Sequence, residues 1–188
     1  MRVLLIGCLL AASICVHADD RSACRKRDAS SEQSWNPSSA GATPRLGHFY
    51  ELGHQLEAAQ GANDPGKMET LAREYLSAAE EFRCNWNYGN AIHDGNSALG
   101  LAALAKRDKA SAAKYLLEAA KSPGSPQLDS FGPTMVLADK LVAAGEREAV
   151  INYLQGIRSF WRMDDGEIDK WIGQLRAGKK PDFRMQLR

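Results

Sequence analysis

Residues 85–121 read N-W-N-Y-G-N-A-I-H-D-G-N-S-A-L-G-L-A-A-L-A-K-R-D-K-A-S-A-A-K-Y-L-L-E-A-A-K. Ala and Leu recur here and through the body of the chain, where β-branched residues are sparse, so helix is favoured over sheet. Two helices fit the stretch, Tyr88 to Lys106 and Lys109 to Lys121, joined across Arg107-Asp108. Its first part also gathers side chains that a buried core does not ask for: Trp86, Asn87, Asn90, His93, Asp94 and Asn96.

Working outward, Arg45 to Gln60 carries Leu46, Phe49, Leu52 and Leu56 at helical spacing. Gly61-Ala62-Asn63-Asp64-Pro65-Gly66 breaks that helix. A second runs from Lys67 to Phe82, with Met68, Leu71, Ala72, Tyr75, Leu76 and Ala79 on one side. On the other flank, Ser122 to Gly132 reads as a loop holding helix breakers, and Pro133 suits the first residue of a helix reaching Ala144. Gly145 parts it from Glu146 to Arg162. A last helix, Glu167 to Ala177, puts Ile168, Trp171, Ile172 and Leu175 on one face before Gly178 and Pro181 end it.

The helix pairs repeat. Leu99-Gly100 is followed by Asp108, Ala112, Leu116 and Ala119. Leu137-Ala138, Gly145, Val150, Leu154 and Ile157 match it on one side, and Leu52-Gly53, Ala72, Leu76 and Ala79 on the other. This resembles the tetratricopeptide pattern, in which small residues let two helices approach and larger ones fill the next pair's groove. Ala72, Ala112 and Val150 stand 40 and 38 residues apart, longer than the usual 34. The resemblance covers residues 45–162. A second likeness, carried by N-W-N-Y-G-N-A-I-H, S-P-Q-L-D-S-F-G-P and the closing P-D-F, is similar to a group of uncharacterised, exported bacterial tetratricopeptide-like proteins. It implies the fold and brings no known activity. The expected architecture is all-α: three helical hairpins with a C-terminal capping helix over residues 45–188.

The N-terminal part reads differently. Arg2, the apolar run Val3 to Val16 and Val16-His17-Ala18 form a signal-peptide pattern with cleavage after Ala18. The run is too short for a membrane span. Leu5-Ile6-Gly7-Cys8 resembles a lipobox but leaves few residues ahead of the cysteine. The expected destination is the periplasm or the outside of the cell. Residues 19–44, rich in Ser, Ala, Asp and Gly, read as a flexible segment with Trp35 as their one large anchor. Removing residues 1–18 takes away Arg2 and no acid, leaving 23 basic against 23 acidic residues. That balance lacks the basic footprint of a nucleic-acid binder.

Cleavage would leave Cys24 and Cys84. In an oxidising compartment an even pair reads as a disulfide, and closing so long a loop would stabilise by about 4 kcal/mol in the chain-entropy model. Two unrelated thiols are the other reading. Two cysteines this far apart lack the paired spacing of a metal site.

In tetratricopeptide arrays the first helix of each hairpin lines a concave, partner-binding face. The resemblance places Asp94, Ser97, Leu101 and Leu104 there, and helical spacing adds Asn87 and Asn90 to the same stripe. It also turns Tyr50, His54 and Glu57 inward from the first hairpin, and Met135 and Asp139 from the third. Amides that both donate and accept suit a bound peptide backbone, and Asp94 suits a cationic group. The plainer reading makes Asn85 and Asn87 caps and turns, with Asn90 bonding neighbouring loops. Trp86 and Tyr88 read as packing. Gln127, Asp129 and Phe131, between Pro123 and Pro133, offer a second surface or a linker over the seam between repeats.

Catalytic signals are few. His48 and His54 face different sides of their helix, and neighbours such as His93 and Asp94 do not face each other on a helix. The sequence carries no phosphate-binding glycine loop, nucleophile elbow or paired zinc ligands, so no cofactor or metal is expected. The function read from the sequence is a non-catalytic module binding a peptide or protein segment. The alternatives are a small hydrolase using His93 or His54 and a structural subunit of a cell-envelope complex. Intact mass of the non-reduced mature protein should begin at Asp19 and fall two hydrogens short of the dithiol; two free thiols would leave the disulfide reading without support.

Overall fold

A computed structural model describes residues 44–187. The signal-peptide and flexible-segment readings fall outside these residues except at Pro44. Eight α-helices and no strand occur among the described residues: α1 Pro44–Gly61, α2 Pro65–Ala79, α3 Tyr88–Ala105, α4 Lys109–Ala119, α5 Pro126–Phe131, α6 Val136–Ala143, α7 Arg147–Ile157 and α8 Glu167–Arg176. Short 3₁₀ turns follow at Glu80–Phe82 and Arg184–Gln186.

One turn joins three pairs of consecutive helices. At the end of α1 the Asp64 and Asn63 amides donate to the Ala59 and Gln60 carbonyls. Asp108 and Arg107 repeat this onto Ala103 and Leu104 after α3, and Glu146 and Gly145 onto Leu141 and Val142 after α6. Each is a Schellman closure, which needs one residue in the left-handed region. Asn63, Arg107 and Gly145 take it, with φ of 50°, 63° and 94°. The next residue then starts the following helix. Asp64 and Asp108 accept the Lys67 and Ser111 amides as N-caps, satisfying donors a helix start leaves open. Helices α1 and α2, α3 and α4, and α6 and α7 therefore fold back on one another as consecutive pairs.

Helix α3 runs through the middle, packed against α2 and α4 and touching α1, α5 and α6. Small residues make that possible. A methyl group at Gly89 would sit 1.9 Å from the Gly124 carbonyl oxygen, and one at Gly100 would sit 2.3 Å from Leu137. On one side lies a core of Phe49, Leu52, Leu56, Leu71 and Tyr75; on the other lies a larger one with Leu116, Leu141, Leu154, Trp161 and Trp171. Leu101 packs against both. In the second core Phe183 meets Trp171 edge-on at 4.9 Å, and α8 covers α7.

Three boundaries differ from the sequence reading. Ser122–Gly132 is not all loop: Ser125 caps α5 by accepting the Leu128 amide, with Pro126 as its first residue. Helix α6 begins at Val136 rather than Pro133, after Gly132 takes a positive φ and the Met135 amide donates to the Gln186 carbonyl at 2.7 Å. Helix α7 stops at Ile157, because Phe160 and Trp161 turn into the core instead of continuing the helix.

Arg107 is the one of the three left-handed turn residues that is neither glycine nor asparagine, and a side chain there costs about 1 kcal/mol. Arg107→Gly should therefore raise stability by up to about 1 kcal/mol in urea denaturation; a loss of stability would contradict the turn geometry.

Candidate functional site

The expected stripe on α3 splits into two environments. Its N-terminal part, Asn87, Asn90 and Asp94, enters a polar seam. Asn87 is buried and donates to the Tyr75 hydroxyl at 2.9 Å. Asn90 donates to Asn87 Oδ1 at 2.8 Å and accepts from the Ser125 hydroxyl. Ser122 fastens the same end of α3, donating to the Gly89 carbonyl at 2.7 Å while accepting the Gly124 amide. Asn85 forms a turn, its Oδ1 accepting the Asn87 amide and the Tyr50 hydroxyl. Tyr50 stacks near Trp86, with ring centres 5.9 Å apart. The amides thus hold neighbouring segments together: Asn85 forms a turn and Asn90 bonds a neighbouring loop, as in the plainer reading, whereas Asn87 makes no side-chain cap bond and ties to Tyr75.

His93 contradicts one expectation. Although adjacent on the helix, His93 Nδ1 and Asp94 Oδ1 lie 2.9 Å apart. Across the core, His93 Nε2 lies 2.9 Å from the Tyr153 hydroxyl on α7. Burial first, and then the Asp94 charge, push the Tyr153 hydroxyl well above its ordinary pKa, so it stays protonated. A neutral phenol donating to Nε2 leaves Nδ1–H to donate to Asp94, satisfying the whole chain. Tyr75 is raised too, by burial and then by Asp94, against the lowering effect of the Asn87 bond. The His93 side chain is 0% exposed while that of Asp94 is 43% exposed. The fully buried imidazole thus forms a strut between α3 and α7.

Past Ser97 the stripe reaches open space. Helices α1, α3 and α6 border a groove of about 850 Å³, within the range that accommodates a small ligand. Ser97, Leu101, Leu104 and Ala105 of α3 line it, with Val136, Leu137 and Lys140 of α6 and Glu57, Gln60 and Gly61 of α1. Met68, Asn63, Thr134 and Leu187 complete its walls. Ser97, Leu101, Leu104 and Glu57 of the expected inward set are thus among its lining residues. Tyr50, His54, Asn87, Asn90, Asp94 and Asp139 are not among its lining residues. His54 is exposed on α1, and Asp139 pairs with Lys180 at 2.8 Å. Met135 is fully buried. It was expected to face inward, but its place just before α6 sinks it into the second core.

Lys140, Thr134 and Leu187 escaped the sequence reading. Lys140 lies three residues after Leu137 and so on the same helix face, a spacing that could have shown it. Leu187 reaches the groove only because the 3₁₀ turn Arg184–Gln186 brings the chain back to α6. Cys84 is disulfide-bonded; Cys24, its expected partner, lies outside the described residues. No group of three or more His, Cys, Asp or Glu side chains able to hold a metal occurs among the described residues, nor does any described helix suffice to cross a membrane. The chain matches no protein-family model, no curated protein and no solved structure.

Tyr153→Phe removes the partner of a fully buried imidazole nitrogen. It should cost about 1–3 kcal/mol of stability in chemical denaturation; an unchanged midpoint would remove the strut.

Proposed function

We propose that the protein is a non-catalytic binding module that holds a peptide or protein segment in the groove between α1, α3 and α6. It acts as a tetratricopeptide-like array of three hairpins closed by α8, exported to the periplasm or beyond. The observation that carries the reading is that the groove walls come mainly from the first helix of each consecutive pair. Leu101, Leu104, Val136 and Leu137 supply an apolar floor, and Gln60, Asn63 and Thr134 supply amide and hydroxyl groups for a peptide backbone. The disulfide at Cys84 agrees with an oxidising compartment. The hydrolase alternative draws no support from His93, which is fully buried and bonded to Tyr153 inside the core.

One observation favours a second reading, a structural subunit docking through the 122–133 segment. Phe131 and Met163 are 68% and 62% exposed, on segments joined by the Arg162–Asp129 ion pair.

A displayed peptide library selected on the purified protein separates the two readings. Selected peptides should shift the methyl resonances of Leu101, Leu104 and Leu137 and lose at least about tenfold in affinity to Leu104→Asp, checked for a wild-type-like melt. Shifts centred on Phe131 and Met163, with affinity for Leu104→Asp intact, would transfer the function to the second surface.

A further inference from the structure

Most charged side chains near the groove are already neutralised. Glu69 bonds to Lys106 and Arg73, which hold its carboxyl down at about 2. Lys180 engages Asp139, the residue beside Lys140. Two lining side chains are different. Glu57 on the α1 wall and Lys140 on the α6 wall are exposed, and neither has an ion-pair or hydrogen-bond partner among the described residues. The remaining lining residues are uncharged. The groove therefore has an apolar floor with one unpaired negative wall and one unpaired positive wall.

The chain also shows what kind of side chain the floor accepts. Leu187 lines the groove while remaining 40% exposed. The Gln186 carbonyl holds it there by accepting the Met135 amide at 2.7 Å and the Thr134 hydroxyl at 3.4 Å. A branched aliphatic side chain at the end of the Arg184–Gln186 3₁₀ turn thus already lines the site, anchored through the neighbouring backbone.

Resting on the peptide-binding reading above, we infer that the groove selects a dipolar peptide segment. It has a short aliphatic core with a cationic group at one end, set against Glu57, and an anionic group at the other, set against Lys140. Aliphatic burial supplies affinity, and the opposed charges set selectivity and orientation. Because both charged groups are exposed, their contribution weakens as salt screens them.

The test uses blocked fluorescent peptides sharing one aliphatic core, with ends Lys/Glu, Lys/Lys, Glu/Glu or Gln/Gln and cores of three to five residues. Anisotropy titrations are run on the full chain, on Glu57→Lys and on Lys140→Glu. Wild type should prefer a Lys/Glu peptide over both like-charged ones by about five- to tenfold at low salt, and the preference should shrink as salt is added. Glu57→Lys, with two positive walls, should switch to Glu/Glu, and Lys140→Glu should switch to Lys/Lys. Equal binding of all four end types, unchanged in both variants, would overturn the dipolar inference while leaving the groove as a peptide site. Binding of none, in a protein with a normal melt, would overturn the peptide-binding reading as well.

Discussion

At the start of α3, the backbones of Gly89 and Gly124 meet so closely that no side chain fits between them. The Ser122 hydroxyl bridges the same point, donating to Gly89 and accepting from Gly124. This contact fixes where the segment after α4 crosses α3, and so lays Ser125 and α5 over Asn90. It covers Asn90 within the N-terminal half of the stripe. What stays open is the half beyond Ser97, where the side chains are aliphatic. A larger residue at Gly89 would force the crossing apart and expose buried backbone groups to loss of their partners, while one at Gly124, where φ is 84°, would strike Phe160.

The rest of the described fold follows from how near α3 lets its neighbours come. Gly100 admits Leu137 from α6, while Leu101, one residue on, joins the two cores. His93 adds a polar tie to α7 where an unpaired imidazole would be costly. Most residues lining the groove beside such a helix sit on helices packed against the rest of the fold, and a preorganised site loses less freedom on binding.

Much was legible along the chain because it is encoded locally. The all-α class follows from composition and period. The pair turns follow from Asn63-Asp64, Arg107-Asp108 and Gly145-Glu146, where a left-handed residue and an N-cap position stand side by side. The aliphatic half of the stripe, Leu101 and Leu104, was legible from spacing. Its polar half was misplaced, because an exposed amide stripe and one that bonds a covering loop look the same in sequence. Helix α5 was missed, although Ser125-Pro126 is a cap followed by a favourable first residue; two prolines and a glycine outweighed that signal.

By itself the sequence determined most of the helical segments, where each pair turns and which α3 positions share a face. These depend on hydrogen bonds and side-chain spacing within a few residues. Only the tertiary structure decided which part of that face meets solvent, because the covering contacts join distant residues: Gly89 with Ser122, Asn90 with Ser125 and His93 with Tyr153. It also decided that Leu187 returns to the groove and that Glu57 and Lys140 stand on two of its walls with no ion-pair partner among the described residues. A local pattern places a side chain on a helix; what lies opposite it is settled by packing between segments that the pattern does not connect.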